Sequence, residues 1–361
     1  MQEIKFVENK HLKEKPKDQS KLGFGRIFTD YMFTMEYNSK EGWHNAQVRP
    51  YENLSFDPAT TFIHYGQAFF EGMKAYNAVD GVRLFRPKDN FARATRSAER
   101  LCMPALDEEL ALEGLKLLLK ADKGWIPTAP GTSLYIRPTM VATDVFLGVH
   151  ASDSYLFFII LSPVGAYYAE GLKPVKIYVE DEYVRAARGG IGFTKAAANY
   201  AASIYAGELA AKKGYSQVLW LDAVERKYIE EVGAMNIFFV IDGKLVTPPL
   251  RGSILPGITR RSVMTLAREM GIEVEERPIS VDELIAAGEN GKLTEAFGTG
   301  TAAVVSPVGE LAYRDKHIMI GDKSVNNGIG ELTMKLYNTL TGLQWGRIED
   351  THGWVTDIDK K

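Results

Sequence analysis

The sequence predicts an α+β fold divided between two domains, and three observations lead there. Strand-like and helix-like segments mix along the chain without a regular strand–helix–strand rhythm, which argues against a doubly wound parallel sheet. With 361 residues, 45% hydrophobic and 25% charged, the chain is long enough for two real cores. A glycine- and proline-marked stretch, "GAYYAEGLKP" at 165–174, interrupts it near the middle. The expected division is therefore 1–165, a connection over 166–174, and 175–361.

Taken in order, residues 1 to about 22 are hydrophilic, mix both charge signs and read as a mobile arm. "AYNAVDGVRLFRP" alternates around Asp80-Gly81, a hairpin signal. Pro87 to Met103 reads as a helix, and Asp107 to Lys120 as a second with a leucine face. "SLYIRPTMVATD" and "SYLFFIILSPV" read as strands. The second half opens with a strand over Val175 to Glu180, and a glycine turn at 189–192 feeds a helix from about Ala196 to Lys213. "SQVLWLDA" and "YIEEVGAMNIFFVIDGKLVTPPL" supply strands, the last two joined at Asp242-Gly243. Helices follow at about 258–270, 281–288 and 328–341.

The totals exclude several functions. A net charge of −3 gives no basic field for nucleic acid or an anionic membrane. One cysteine, Cys102, allows no internal disulfide, and six scattered histidines form no zinc motif. The N-terminus resembles no signal or transit peptide, and the apolar run Tyr155–Tyr168 is short and holds Pro163 and Gly165. That run reads as a buried strand, and the expected location is the cytoplasm. The sequon Asn53-Leu54-Ser55 then carries little weight.

Candidate chemistry begins with "GGIGFTKAAANYAASIYA", where Lys195 is the only charge. It is either a surface lysine on an alanine-rich helix or a desolvated amine serving as nucleophile or base. In "YIEEVGAMNIFF", read as one strand, Glu231 shares a face with Gly233, Met235, Ile237 and Phe239. A carboxylate there needs a partner, either a structural arginine or a ligand nitrogen. Pro256-Gly257 precedes a helix whose first amides, Ile258 and Thr259, form an anion cradle or carry only an N-cap threonine. "FGTGTAAVV" formally matches a dinucleotide fingerprint, but Val304-Val305 and Pro307 point to a following strand, so that reading is rejected. Arg93, Arg96 and Arg100 share a helix face, usually a solvated or ion-paired stripe. Tyr135 and Arg137 share a strand face and either pack ordinarily or meet a carboxylate. A lysine amine, a carboxylate for a pyridine nitrogen and a phosphate cradle have one joint explanation, pyridoxal phosphate, with Tyr200 within reach of its ring oxygen.

The segments "GRIFTDYMF", "HYGQAFFEGMKAY", "VRLFRP", "RSAERLCMP", "GTSLYIRP", "LSPVGAYY", "TKAAANYA", "QVLWLDA", "EEVGAMNIF", "LVTPPL", "GSILPGITR" and "GTGTAAVVSPV" cover most of the chain beyond the arm. In them the chain closely resembles the branched-chain amino-acid aminotransferases of the type IV pyridoxal-phosphate fold. The resemblance implies a smaller N-terminal and a larger C-terminal α+β domain with pyridoxal 5'-phosphate at their interface. It implies that Lys195 carries the cofactor as an aldimine, that Tyr200 meets its ring oxygen, and that Glu231 meets its nitrogen. Arg93, Ile258, Thr259 and Thr301 would take the phosphate, while Arg96 and Arg100 gain no role. Phe28, Tyr65, Phe70, Tyr135 and Tyr167 would line the substrate pocket. The amides of Thr301 and Ala302 with the Tyr135 hydroxyl would hold the α-carboxylate, and Arg137 the distal carboxylate of glutamate. Leu147 and Val149 in "FLGVH" would enter the neighbouring subunit's site, which implies a homodimer.

The implied reaction is reversible ping-pong transfer of the amino group of L-leucine, L-isoleucine or L-valine to 2-oxoglutarate. Alternatives within the fold are a D-amino-acid aminotransferase and an aminodeoxychorismate lyase, which lack the matched "SLYIRP" and "HYGQAFFEGMK". Outside enzymes, the alternative is a phosphate-ligand binding protein in which Lys195 pairs with the anion. Two departures stand out: Ala303 and Ser306 occupy the positions of the vertebrate redox cysteine pair, and Ala234 replaces a threonine found in some members.

Overall fold

A computed structural model describes residues 3–165, 172–322, 324 and 326–359. In chain order its elements begin with β1 (Lys5–Phe6), β2 (Tyr31–Asn38), β3 (Gly42–Pro50), α1 (Thr61–Tyr65), β4 (Ala68–Phe70), β5 (Met73–Ala78) and β6 (Gly81–Phe85). Then come α2 (Pro87–Arg100), α3 (Glu108–Ala121), β7 (Ser133–Ala142), β8 (Ser154–Val164), β9 (Val175–Glu180) and α4 (Ala197–Lys212). Next are β10 (Gln217–Leu221), β11 (Ile229–Val232), β12 (Met235–Ile241), β13 (Lys244–Thr247), α5 (Ile258–Glu269) and β14 (Val274–Glu276). The chain continues through α6 (Val281–Glu289), β15 (Leu293–Gly300), β16 (Val304–Tyr313), β17 (Lys316–Met319), α7 (Glu331–Gln344) and β18 (Val355–Asp357).

Two compact units result, one of residues 1–169, 194–198 and 342–361, the other of 170–193 and 199–341. The division departs from the expected 1–165 and 175–361 in two places. The C-terminal segment joins the first unit because β18 pairs antiparallel with β6 and Trp345 packs edge-on to Tyr76 at 4.8 Å. Residues 194–198 join it because Ala196 bridges Phe69.

Among the described residues, the first unit's sheet runs β1-β3-β2-β8-β7-β5-β6-β18, with β4 against β7. The apolar run read as a buried strand is β8, held between β2 and β7 as far as Val164; its last residues lie outside the described ones. Helices α2 and α3 cover the sheet through Phe91, Ala94, Ala98, Leu110, Leu115 and Leu118. Asp107 caps α3 by accepting from the Leu110 amide, with Glu108 and Glu109 in the first turn, so the leucine face reads through into structure. The hairpin at Asp80-Gly81 forms with its two loop residues one place earlier, at Val79-Asp80.

The stretch expected to be a mobile arm lies along this sheet. Lys5 and Phe6 run parallel to β3, and Asn9 and Lys13 bond to Asp30. Asp30 also accepts from Trp125 Nε1 at 2.7 Å, beside buried Asp122. Burial pushes the Asp122 carboxyl up to about 6, with the charge of Asp30 adding to the rise. The folded state therefore holds that proton more tightly than the unfolded chain, and stability falls as pH rises through roughly 4 to 6. Asp122→Asn is expected to raise stability at pH 7.5 by on the order of 1 kcal/mol and to add nothing at pH 4. Thermal unfolding at the two pH values checks this, and an equal shift at both would refute it.

In the second unit the sheet runs β11-β10-β9-β16-β15-β12-β13-β14, with β17 on β16. Because β11 pairs with both β10 and β12, six strands form a closed ring of pairings. Asp242 and Gly243, at φ 53° and 78°, make the tight turn between β12 and β13 that the sequence signals. Phe239, Ile237, Leu219 and Val179 pack with Ile285 and Leu284 of α6 into this unit's core.

Candidate active site

The first unit gathers Lys195, Phe70, Tyr135, Arg137 and Arg93. Lys195 lies just ahead of α4 rather than on its surface, held by its backbone: its amide donates to Ser97 Oγ at 3.1 Å and its carbonyl accepts from the Phe70 amide at 3.2 Å. Its Nζ stands 5.1 Å from the Phe70 ring centre, and the Arg137 guanidinium lies 4.5 Å from the same centre. Arg137 also donates to the Tyr135 hydroxyl at 3.3 Å, while its Nε is buried with no hydrogen-bond partner. A Cβ at Gly72 would fall 2.3 Å from the Tyr135 oxygen, so only glycine lets that phenol lie across the strand edge.

The three arginines of α2 divide. Arg93 falls in the buried stripe of Asn90, Ala94 and Ser97 and is 4% exposed, whereas Arg96 and Arg100 are exposed. Arg93 forks onto the fully buried Glu71 at 2.8 and 2.9 Å. Phe28 stacks on Tyr51 at 5.3 Å, and the exposed Tyr65 donates to the Leu147 carbonyl. Leu147 and Val149 are 65% and 83% exposed. Tyr167 lies outside the described residues.

The second unit holds the other cluster. The segment read as one strand through Glu231 is a hairpin, turned at Gly233 (φ 55°), so the expected face is corrected. The tight reversal pairs Glu231 with Asn236, and Asn236 pairs in turn with Thr299 of β15. These three polar side chains therefore line one face across three strands, and Ile237 and Phe239 point to the other. Glu231, its side chain 4% exposed, forms an ion pair with Arg185 through Oε2 and accepts from Asn236 Nδ2 at 3.1 Å through Oε1. Thr299 Oγ1 is buried with no hydrogen-bond partner. On the opposite side of β11, burial pushes the Glu230 carboxyl above the usual range, while Ser253 donates to it.

Helix α5 starts beside this row. Asn236 Nδ2 reaches the Leu255 carbonyl at 2.9 Å, and a Cβ at Gly257 would fall 1.9 Å from Asn236 Oδ1. The N-cap is Gly257, with no side-chain cap, so Thr259 is a buried helical residue rather than the capping threonine. The initial amides, those of Ile258 and Thr259 included, have no carbonyl four residues back within the helix. Thr301 and Ala302 form the turn from β15 into β16, which closes on Val304 at φ 63°. A valine in the left-handed region costs about 1–3 kcal/mol, so this turn's shape is imposed by its surroundings. β16 is a strand, and the dinucleotide fingerprint fails as expected. Tyr200 lies half-buried in the first turn of α4, its carbonyl accepting from Ser203 Oγ at 2.7 Å.

These residues fit a phosphorylated pyridine aldehyde. There is an amine in a partly apolar setting, a buried carboxylate fixed by two partners, an uncapped helix start beside that carboxylate, and an orphaned hydroxyl at Thr299. Sequence reasoning missed Ser97, Arg185, Asn236, Thr299 and Lys74. Lys74 faces Tyr135 across β5 and β7, and burial pushes its amine down to about 8. Asn236 and Thr299 are signalled by Gly233, which makes the hairpin and hence the register; Arg185 has no local signal in "YVRAARGG".

The amino-transferase class IV family model matches residues 68–311, which contain every residue of both clusters except Phe28, its stacking partner Tyr51, and Tyr65. Branched-chain-amino-acid aminotransferase 2 of Bacillus subtilis is 57% identical over 348 residues, 96% of this chain and 94% of that one. The crystal structure of the Escherichia coli branched-chain amino acid aminotransferase superposes with a TM-score of 0.76 at 30% identity, covering 91% of this chain and 99% of the other. That of the Thermobaculum terrenum branched-chain amino acid aminotransferase, in its pyridoxal-phosphate holo-form, gives 0.73 at 26% identity, covering 92% and 99%. Agreement in sequence and in fold over nearly the whole length leaves one assignment: this chain belongs to the class IV aminotransferases.

Proposed function

We propose that the protein moves the amino group of L-leucine, L-isoleucine or L-valine to 2-oxoglutarate, reversibly, with pyridoxal 5'-phosphate as cofactor. The observation that carries the reading is the Phe70–Tyr135–Arg137 arrangement: an apolar wall with one guanidinium lying on it. A branched alkyl group needs the wall, and glutamate's distal carboxylate needs the cation, so one pocket serves both half-reactions.

Lys195, Arg93, Tyr200, Glu231, Ile258, Thr259 and Thr301 would hold the cofactor, which when bound supplies an electrophilic carbon and an electron-withdrawing ring. Lys195 Nζ takes the proton from the substrate's Cα and later returns one, acting as base and then acid. Glu231 would hold a proton on the cofactor's ring nitrogen. The Thr301 and Ala302 amides and the Tyr135 hydroxyl orient the α-carboxylate. Phe28, Tyr65 and Phe70 exclude water from the alkyl group, and Arg137 positions the dicarboxylate. The same reading gives Tyr167 a place in the pocket wall.

Absorption in the visible range tests this directly. L-leucine is expected to bleach the band of the purified holoenzyme, and 2-oxoglutarate to restore it, with D-alanine silent. In Arg137→Met, leucine is expected to bleach as before while bleaching by L-glutamate weakens by about 100-fold or more in concentration. A band that responds to D-alanine alone would overturn the substrate assignment.

A homodimer is part of the proposal. Val145, Phe146, Leu147 and Val149 form an exposed apolar loop whose Leu147 carbonyl is tied to Tyr65. Leu147→Asp with Val149→Asp is expected to yield monomers with at least about 10-fold lower kcat/KM, read by sedimentation and steady-state kinetics. Dimers of full activity would refute that role. Among the described residues no helix is long and apolar enough to cross a membrane, and the cytoplasm is the proposed compartment.

A further inference from the structure

The mechanism above leaves unused a nearly buried cation of the second unit. Arg185 has a side chain only 8% exposed and pairs with Glu231 Oε2. The same guanidinium nitrogen donates to the Ser253 carbonyl and, at 3.2 Å, to the carbonyl of Gly192. Its Nε is buried with no hydrogen-bond partner. Gly192 has no room for a side chain, since a Cβ would fall 2.3 Å from the Ser253 carbonyl oxygen. Three separate pieces of chain, the 185–192 loop, the Ser253 turn and β11, thus meet at one fixed positive charge.

We infer that Arg185 is a positioning residue for the reaction, one that fixes the shared proton on the cofactor's ring nitrogen by holding Glu231 as a carboxylate. This role rests on the functional reading above. A proton between a carboxylate and a pyridine nitrogen goes to whichever is more basic in place. A guanidinium paired with Oε2 of Glu231 favours the ionised carboxylate, and Asn236 on Oε1 fixes its plane. With the cofactor bound, the proton would then be kept on its ring nitrogen, where it would make the ring electron-withdrawing. Lysine could supply the charge, but as a compact, strongly hydrated ammonium on a flexible stem it is held less firmly against Glu231.

The test uses Arg185→Gln and Arg185→Lys, each compared with wild type in three measurements. These are pyridoxal-phosphate uptake by the cofactor-free protein, the pH dependence of the visible band, and steady-state kinetics with L-leucine. Wild type must first take up pyridoxal phosphate; if it does not, the functional reading itself fails. Given uptake, the glutamine variant is expected to show a displaced pH midpoint of the band and a kcat about 10–100-fold lower, the range typical of losing an orienting partner. Its KM should change little. The lysine variant should recover the wild-type midpoint in part and lose roughly 10-fold in kcat. A purely structural arginine would lower thermal stability in both variants and leave the midpoint where it was, which overturns the inference. Should the glutamine variant not fold, a lysine variant with the wild-type midpoint and kcat overturns it equally.

Discussion

Replacing Lys195 by alanine is expected to cut leucine transamination by at least about 10⁴-fold, the upper end of what general acid–base catalysis contributes, since the same amine also holds the cofactor. The change should leave the fold intact, because the backbone around residue 195 is held by Ser97 Oγ and the Phe70 amide rather than by the side chain. Thermal unfolding of the cofactor-free variant should therefore match wild type closely. Lys74 is a buried amine in the first unit, and its depressed proton affinity makes it the natural source of residual activity. Combining Lys195→Ala with Lys74→Met should remove what remains. A single variant that keeps a tenth of the wild-type rate would mean that Lys195 is not the proton carrier. A phosphate-ligand binding protein would lose only part of its affinity for pyridoxal phosphate under the same substitution.

The second large effect concerns stability. Glu71→Ala leaves the buried Arg93 without the forked carboxylate that neutralises it, and stability is expected to fall by about 3–5 kcal/mol. Burial of the charge, more than the hydrogen bonds lost, sets that figure. Two controls separate the causes. Replacing both partners, Glu71→Met with Arg93→Met, should regain most of the loss, because no unpaired charge remains. Adding pyridoxal phosphate should stabilise Glu71→Ala more than wild type if Arg93 turns toward a phosphate, since the ligand then supplies the missing counter-charge. Urea unfolding with and without the ligand gives both comparisons, and a loss below about 1 kcal/mol would show that Arg93 is neutralised elsewhere.

The parts of this molecule that could be read from sequence are those set by local rules. The leucine face of α3, the Asp242-Gly243 turn and the strand over 175–180 follow from periodicity and turn chemistry. Glu231 shows where such rules stop. Alternation continued straight through Gly233 puts Ile237 on the glutamate's face, yet a glycine at φ 55° reverses the chain and moves Ile237 to the opposite one. Asn236 and Thr299 become visible only with that register. Arg93 illustrates a different limit, because three arginines with similar helical spacing differ in burial, and the partner of the buried one, Glu71, comes from the link between β4 and β5. Arg185 is the extreme case: nothing near it in sequence names Glu231, 46 positions onward, as its partner.

The placement of β18 bears on how the chain is made. Its partner β6 ends at Phe85, yet β18 begins only at Val355. A ribosome therefore makes every element from α2 to α7 while the edge of β6 is still without its final strand. Unpaired edges invite pairing with other nascent chains, so the interval between synthesis of β6 and of β18 is when this protein most needs a chaperone. Ribosomes stalled before residue 355 should carry chains that protease cuts readily around residues 81–85, and extending synthesis past residue 357 should close that site.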